Sequence, residues 1–259
     1  MQGTLEAFLT TGILAFILTF MRIGTAVMIM PGLGDSFVPE RIRLHMALGI
    51  SFVLFPFTMP FIPVPVPESF ALVLMIVSEF LVGLLMGTVA RIFMTALDTA
   101  GMVVSMQSGL SNAQVFNPSL AAQGSLIGAF LSMSGVLLLL ITNLHHLLIA
   151  GMLESYNFFP LGKIPDTGSM AEIISKAVAA SFNLGVKLSA PFIVVTLLLY
   201  VGMGVLARLM PQVQVFLLAL PVQIMLALVT MIFVLSTLLH YWVNQFQGDM
   251  VAFLHMAGG

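Results

Sequence analysis

VQVFLLALPVQIMLALVTMIFVLSTLL, residues 213–239, carries no charged side chain and few polar ones. Crossing the ~30 Å hydrocarbon core of a bilayer takes about 20 helical residues. A stretch this long and this evenly apolar reads as a helix, because the strand of a membrane barrel is about ten residues long and alternates apolar with polar. The same reading applies at residues 7–30, 44–61, 70–90, 126–150 and 188–207. The expected fold is all-α: an integral membrane protein of six long apolar helical segments.

The composition of the whole chain points the same way. Of 259 residues, 60% are hydrophobic and 7% are charged, where soluble domains carry roughly 25% charged residues. No Asp, Glu, Lys or Arg occurs in residues 99–153 or 209–248. So few charges could not cover a water-soluble monomer, and the high hydrophobicity excludes intrinsic disorder. A net charge of −2 makes no electrostatic case for nucleic acid. The absence of cysteine removes disulfides, thiol catalysis and thiolate metal sites together. Glu6 precedes the first basic residue, Arg22, so the first segment lacks the basic start of a signal peptide and is expected to be retained. Arg41, Arg43, Arg91 and Arg208 lie in or beside odd-numbered connections, against Lys163, Lys176 and Lys187 in the fourth. That near balance leaves the topology open.

Punctuation locates the connections. PFIPVPVP, residues 60–67, reads as a polyproline-like linker. Pro39 before Glu40 suits a helix start, with Arg41 and Arg43 able to reach an interface. Ser169 and Glu172 have capping-box spacing, and Glu172 and Lys176 form an i,i+4 pair, so a helix is expected to start near Met170 and to kink or break at Pro191. Residues 156–168, with two prolines and two glycines, read as an ordinary aqueous loop.

The most unusual stretch is SMQSGLSNAQVFNPSLAAQGS, residues 105–125, nearly half Ser, Asn or Gln and without charge. Irregular backbone at membrane depth is tolerated only where protein buries it or where it lines a water-filled cavity. A neutral polar loop with an apolar tip at Val115 and Phe116 fits a pore-lining or pore-blocking element. On composition alone, a solvated loop without charges fits equally well.

Arg22, Glu79, Arg91 and Asp98 interrupt apolar stretches. Ionisable groups at that depth mark an ion path, as in a secondary transporter, or a structural pair between helices. Four scattered charges without an internal repeat favour the structural pair. With 22 glycines in 259 positions, the spacings Gly83/Gly87 and Gly124/Gly128 arise by chance and speak only of helix packing. His145 and His146 are adjacent, diverge by about 100° on a helix, and cannot share a metal as an i,i+4 pair could. No hydrolase, metalloprotease or nucleotide-binding motif occurs in a usable context. No enzyme, cofactor or metal site is expected. The 20 methionines are mostly apolar filling, with Met102 and Met106 beside the polar loop as candidates for sealing a pore.

Three blocks carry a family resemblance: residues 21–56, which hold VPERIR; residues 101–133, which hold QSGLS and a later Asn117-Pro118; and residues 206–228, which hold RLMPQVQVF. Together they resemble the FliR family of flagellar export-gate proteins and their counterparts in virulence type III secretion. The resemblance implies a non-enzymatic structural subunit of the bacterial inner membrane and flagellar basal body. Such a subunit assembles with FliP and FliQ, associates with FlhB and FlhA, and lets unfolded flagellar subunits pass. It also implies one export-gate domain of bent hairpins, FliP-like over residues 1–168 and FliQ-like over 169–259, in contact with sister subunits as well as lipid.

In such assemblies the loop matching residues 105–121 plugs the pore. Met102, Met106, Gln107, Gly109, Leu110, Asn112, Val115, Phe116, Asn117 and Pro118 are then the plug residues, with Gly109 and Gly124 allowing movement. Arg208, Pro211, Gln212 and Gln214, in the RLMPQVQVF match, fall to assembly, and Arg22, Glu79 and Arg91 to buried pairing between hairpins.

Overall fold

The computed structural model describes residues 2–62, 69–111, 125–163, 165–210 and 215–258. They form helices α1 (Gln2–Ile29), α2 (Glu40–Thr58) with a 3-10 turn at Met59–Phe61, and α3 (Ser69–Gln107). Helices α4 (Leu126–Ile141), α5 (Leu144–Phe158), α6 (Thr167–Leu209) and α7 (Val215–Gly258) follow, and no strand occurs among the described residues. Five helices are long and apolar enough to cross a membrane, or six when α4 and α5 count as one broken span. The chain is an all-α membrane protein.

Several boundaries depart from the sequence pattern. Helix α3 continues past Ala90 to Gln107, through Arg91 and Asp98, because a charged side chain leaves the backbone ladder intact and needs only a partner. The segment expected at residues 126–150 breaks at Asn143, whose φ of 58° lies in the left-handed region. Asparagine tolerates that conformation better than most residues. Helix α6 runs unbroken through Pro191, since proline removes only one backbone donor from a long helix. The proline-rich linker lies outside the described residues beyond Ile62.

Helix α6 starts at Thr167 and not near Met170. Its cap is Asp166: Oδ1 accepts the Gly168 N–H at 3.3 Å, and Oδ2 accepts the Ser169 N–H at 3.0 Å and hydroxyl at 2.7 Å. Ser169 is therefore occupied inside the first turn and is not the cap, while Glu172 pairs with Lys176 at 2.8 Å. The Ser169 hydroxyl, then the Ser169 and Gly168 amides, hold the Asp166 carboxyl below its usual value of 3.8. A depressed carboxylate contributes its stabilisation above the unfolded-state value and loses it as pH falls through the folded one. Hydrogen-exchange protection at Gly168 and Ser169 should be present at pH 6 and fall below about pH 3.8. Asp166→Ala should remove it at both.

The fold divides into two compact units. The first is Met1–Phe93, Leu139–Val178 and Gln247–Gly259. Its core packs Leu14, Ala15, Leu18, Ile62 and Met75, with Phe55, Met59, Leu72, Ile76 and Leu161 against them. Helices α1 and α3 approach closely enough that a Cβ on Gly83 would lie 2.2 Å from the Arg22 carbonyl, and one on Gly87 2.9 Å from that of Ala26. That close approach is the small-residue packing by which helices associate where lipid supplies no hydrophobic drive. Residues 156–168 are not simply a solvated loop. Tyr156 is buried near the end of α5, with its ring under the Arg22 guanidinium, and Leu161 packs against the apolar core.

The second unit is Met94–Leu138 and Ala179–Phe246. Trp242 is fully buried, with its ring 5.3 Å from that of Phe246 and tilted by 42° to it. Gly185 admits the side chain of Thr99, and Gly101 meets Gly128 backbone to backbone. Only 11% of the most apolar window of α6, and the same share of α7, is buried within the chain.

Candidate functional site

The polar loop is rooted at the end of α3. The Ser108 N–H bonds the Val104 carbonyl at 2.8 Å, Gly109 adopts φ +73°, and the Ser111 N–H returns to the Ser105 carbonyl at 3.2 Å. A left-handed glycine just past the last helical residue is how many helices stop.

The far root is Ser125, which caps α4 by accepting the Gly128 N–H at 2.9 Å. Its single hydroxyl hydrogen goes to the Gly101 carbonyl at 3.0 Å. In the 2.6 Å contact between Ser105 and Ser125, the Ser105 hydroxyl is therefore the donor. A Cβ on Gly101 would lie 2.2 Å from the Gly128 Cα. Two serines and two glycines thus clamp the two ends of the loop together.

A second set of polar groups holds the same root. The carbonyl of Gln107, at a helix end where intrahelical donors run out, accepts hydrogen bonds from Gln223 Nε2 of α7 and from Thr196 Oγ1 of α6, the latter at 3.4 Å. Gln223 Nε2 also donates to the Tyr200 hydroxyl at 3.3 Å. Ser108, Phe192 and Thr230 line the shallow recess around them. Sequence reasoning passed over Thr196, Tyr200, Gln223 and Ser125. The signal was available for Gln223, an amide inside an otherwise apolar helix that must find a partner.

Of the expected plug residues, Gln107, Gly109 and Leu110 form this root, and Met102 and Met106 project from α3 at 56% and 64% exposure. Asn112, Val115, Phe116, Asn117 and Pro118 lie outside the described residues, as do Gly124, Pro211, Gln212 and Gln214. Arg208 is exposed in the last turn of α6, followed by exposed Leu209 and Met210. A cation there suits the negative end of the helix.

The charges fall into separate pairs. Arg22 and Glu79 are each 1% exposed and joined by two parallel bonds, Nε to Oε2 at 2.7 Å and Nη2 to Oε1 at 2.9 Å. Arg22 Nη1 donates to Ser155 Oγ at 3.0 Å, Nη2 also donates to the Phe159 carbonyl at 2.8 Å, and the guanidinium lies 3.8 Å over the Tyr156 ring. One buried cation thereby ties α1, α3, α5 and the chain after α5. Arg91 is not part of that group: it pairs with Asp35, whose other oxygen accepts the Gly32 N–H at 2.7 Å. Asp98 accepts from the Ser132 hydroxyl. The His145 and His146 rings lie 4.1 Å apart between centroids, tilted by 49° to each other. No group of three or more His, Asp or Glu among the described residues is placed to hold a metal ion.

Residues 13–248 match the family described as bacterial export proteins, family 1. The flagellar biosynthetic protein FliR of Caulobacter vibrioides is 39% identical over 89% of this chain and 92% of its own length. Those of Aquifex aeolicus and Bacillus subtilis are each 30% identical, over 94% and 86% of this chain and 92% and 87% of their own. The chain belongs to the FliR family of bacterial flagellar export proteins.

Proposed function

We propose that the chain is a structural, non-catalytic subunit of the flagellar type III export gate in the bacterial inner membrane, at the flagellar basal body. It assembles with FliP and FliQ around a pore for unfolded flagellar subunits, with FlhB and FlhA associated. Residues 1–168 act as the FliP-like part and 169–259 as the FliQ-like part. The loop of residues 105–121 closes the pore at rest, with Phe116 at its tip and Met102 and Met106 completing the seal.

The observation that carries this reading is the clamped root. The two ends of a long stretch free of charge are held together by Ser105, Ser125, Gly101 and Gly128, which supports a loop that leaves and re-enters the fold at one point. The largely uncovered apolar faces of α6 and α7 support assembly, since sister subunits or lipid must dry them. The flagellar names of the relatives favour flagellar use over the virulence counterpart.

The test is co-expression with FliP and FliQ, extraction in detergent and sizing. The chain should elute with both partners. Deleting residues 107–118 should leave that elution unchanged and make the reconstituted gate conduct ions or small solutes. Elution of the intact chain without FliP and FliQ would overturn the assembly, and a deletion gate that stays tight would overturn the plug.

A further inference from the structure

Helix α7 buries an amide that its own packing does not require. Gln223 is 6% exposed, at a place where an apolar side chain would fill the space without needing a partner. Its partners fix which way the amide points: a carbonyl cannot donate, so the nitrogen and not the oxygen faces the Gln107 carbonyl. The other N–H goes to the Tyr200 hydroxyl at 3.3 Å. Gly109 lies against the same side chain, since a Cβ there would be 3.5 Å from Gln223 Cδ and Oε1. All of these residues belong to the second unit.

The Gln107 carbonyl needs that donor because α3 stops there. In a continuing helix its partner would be the Ser111 N–H, four residues on, but that N–H turns back to the Ser105 carbonyl. Gln223 takes its place, with Thr196 at 3.4 Å. The two arrangements exclude each other. With the amide withdrawn, the Ser111 N–H reaches the Gln107 carbonyl once Gly109 leaves the left-handed region, a change that glycine makes without steric cost. The same residues therefore have two hydrogen-bonded states: a stopped helix held from α7, and a helix carried one turn further.

We propose that Gln223 is a positioning residue that holds α3 in the stopped state, so that α7 sets where the uncharged stretch leaves the helix. Its consequence for the gate rests on the reading that this stretch closes the pore.

Two readouts test the role. In the purified full-length chain, the Cα carbon shifts of Gly109 and Ser111 should turn helical in Gln223→Leu. In gates co-purified with FliP and FliQ, the same variant should raise the open fraction about fivefold, the weight of one hydrogen bond. Gln223→Glu keeps the shape, assembles even where Gln223→Leu does not, and separates donation from packing. Its carboxylate has nothing to donate at about pH 9, whereas its acid form has one O–H to give at about pH 5. That gate should conduct at the higher pH and tighten at the lower. Wild type is the control at both, since no Asp, Glu, His, Lys or Arg lines the recess. Unchanged shifts in Gln223→Leu would overturn the proposal, because Gly109 alone would then end α3. So would a Gln223→Glu gate whose conductance does not follow pH. A tight Gln223→Leu gate beside a conducting deletion of residues 107–118 would remove Gln223 and leave the plug. A deletion gate that is also tight would remove both.

Discussion

Glu79→Ala should be the most damaging single substitution in the first unit, lowering stability by about 3–5 kcal/mol. The reason is the position of the cation left behind. Arg22 is 1% exposed and enclosed by Ser155, Tyr156 and the Phe159 carbonyl. Without the carboxylate, two of its charge-assisted bonds vanish and the guanidinium keeps its charge, since arginine does not deprotonate in proteins. A buried pair adds little net stability over apolar side chains of the same volume, however, because its desolvation offsets most of its attraction. The double variant Arg22→Met/Glu79→Leu should therefore recover most of what Glu79→Ala loses. The measurement is the detergent-extracted chain's thermal aggregation midpoint, with motility as the second readout. A structural pair predicts that the double variant still supports swimming. Equal stability of Glu79→Ala and wild type would remove the pair from the list of what holds the unit together, and a stable but non-motile double variant would favour an ion path.

This pair also shows what could be read from sequence and what could not. An arginine and a glutamate inside apolar runs announce that each needs a partner, and the cost of leaving one unmet is local and large. The choice among partners is not local. Arg91 looks equivalent to Arg22 in the sequence, yet it pairs with Asp35, which nothing in the apolar pattern singled out. The helices themselves were legible because length and uniform hydrophobicity report on the solvent, and their ends were not. Asn143 stops a run of apolar residues by its backbone conformation alone, and Asp166 takes the cap from a serine three residues later by reaching its amide first. The loop drew notice through its lack of charge. Its clamp did not, because serine and glycine are common and only their meeting across α3 and α4 has meaning.

That meeting sets the second large effect. Gly101→Leu places a Cβ 2.2 Å from the Gly128 Cα and 2.4 Å from its nitrogen. Both are backbone atoms, so no side chain can swing aside. To reach ordinary contact near 3.7 Å, the helices must part by roughly 1.5 Å. The 3.0 Å bond from Ser125 to the Gly101 carbonyl cannot survive that displacement. Overpacking of this kind costs about 1–3 kcal/mol and more where the backbone must move, and here it opens the base of the loop without shortening it. The assembled gate should therefore conduct, as it should when residues 107–118 are deleted. Ser125→Ala separates the clamp from the packing: it keeps the close approach, removes the hydroxyl, costs about 1 kcal/mol as a lost cap, and should leak less. Gly49→Ala, on α2 and away from the uncovered faces of α6 and α7, is the control, since nothing lies within 4 Å of its Cβ position and the helix gains from alanine. Conductance of co-purified gates in planar bilayers reads all three. A Gly101→Leu gate as tight as wild type would mean that the loop closes the pore without its root, and the plug would then have to be held from its tip.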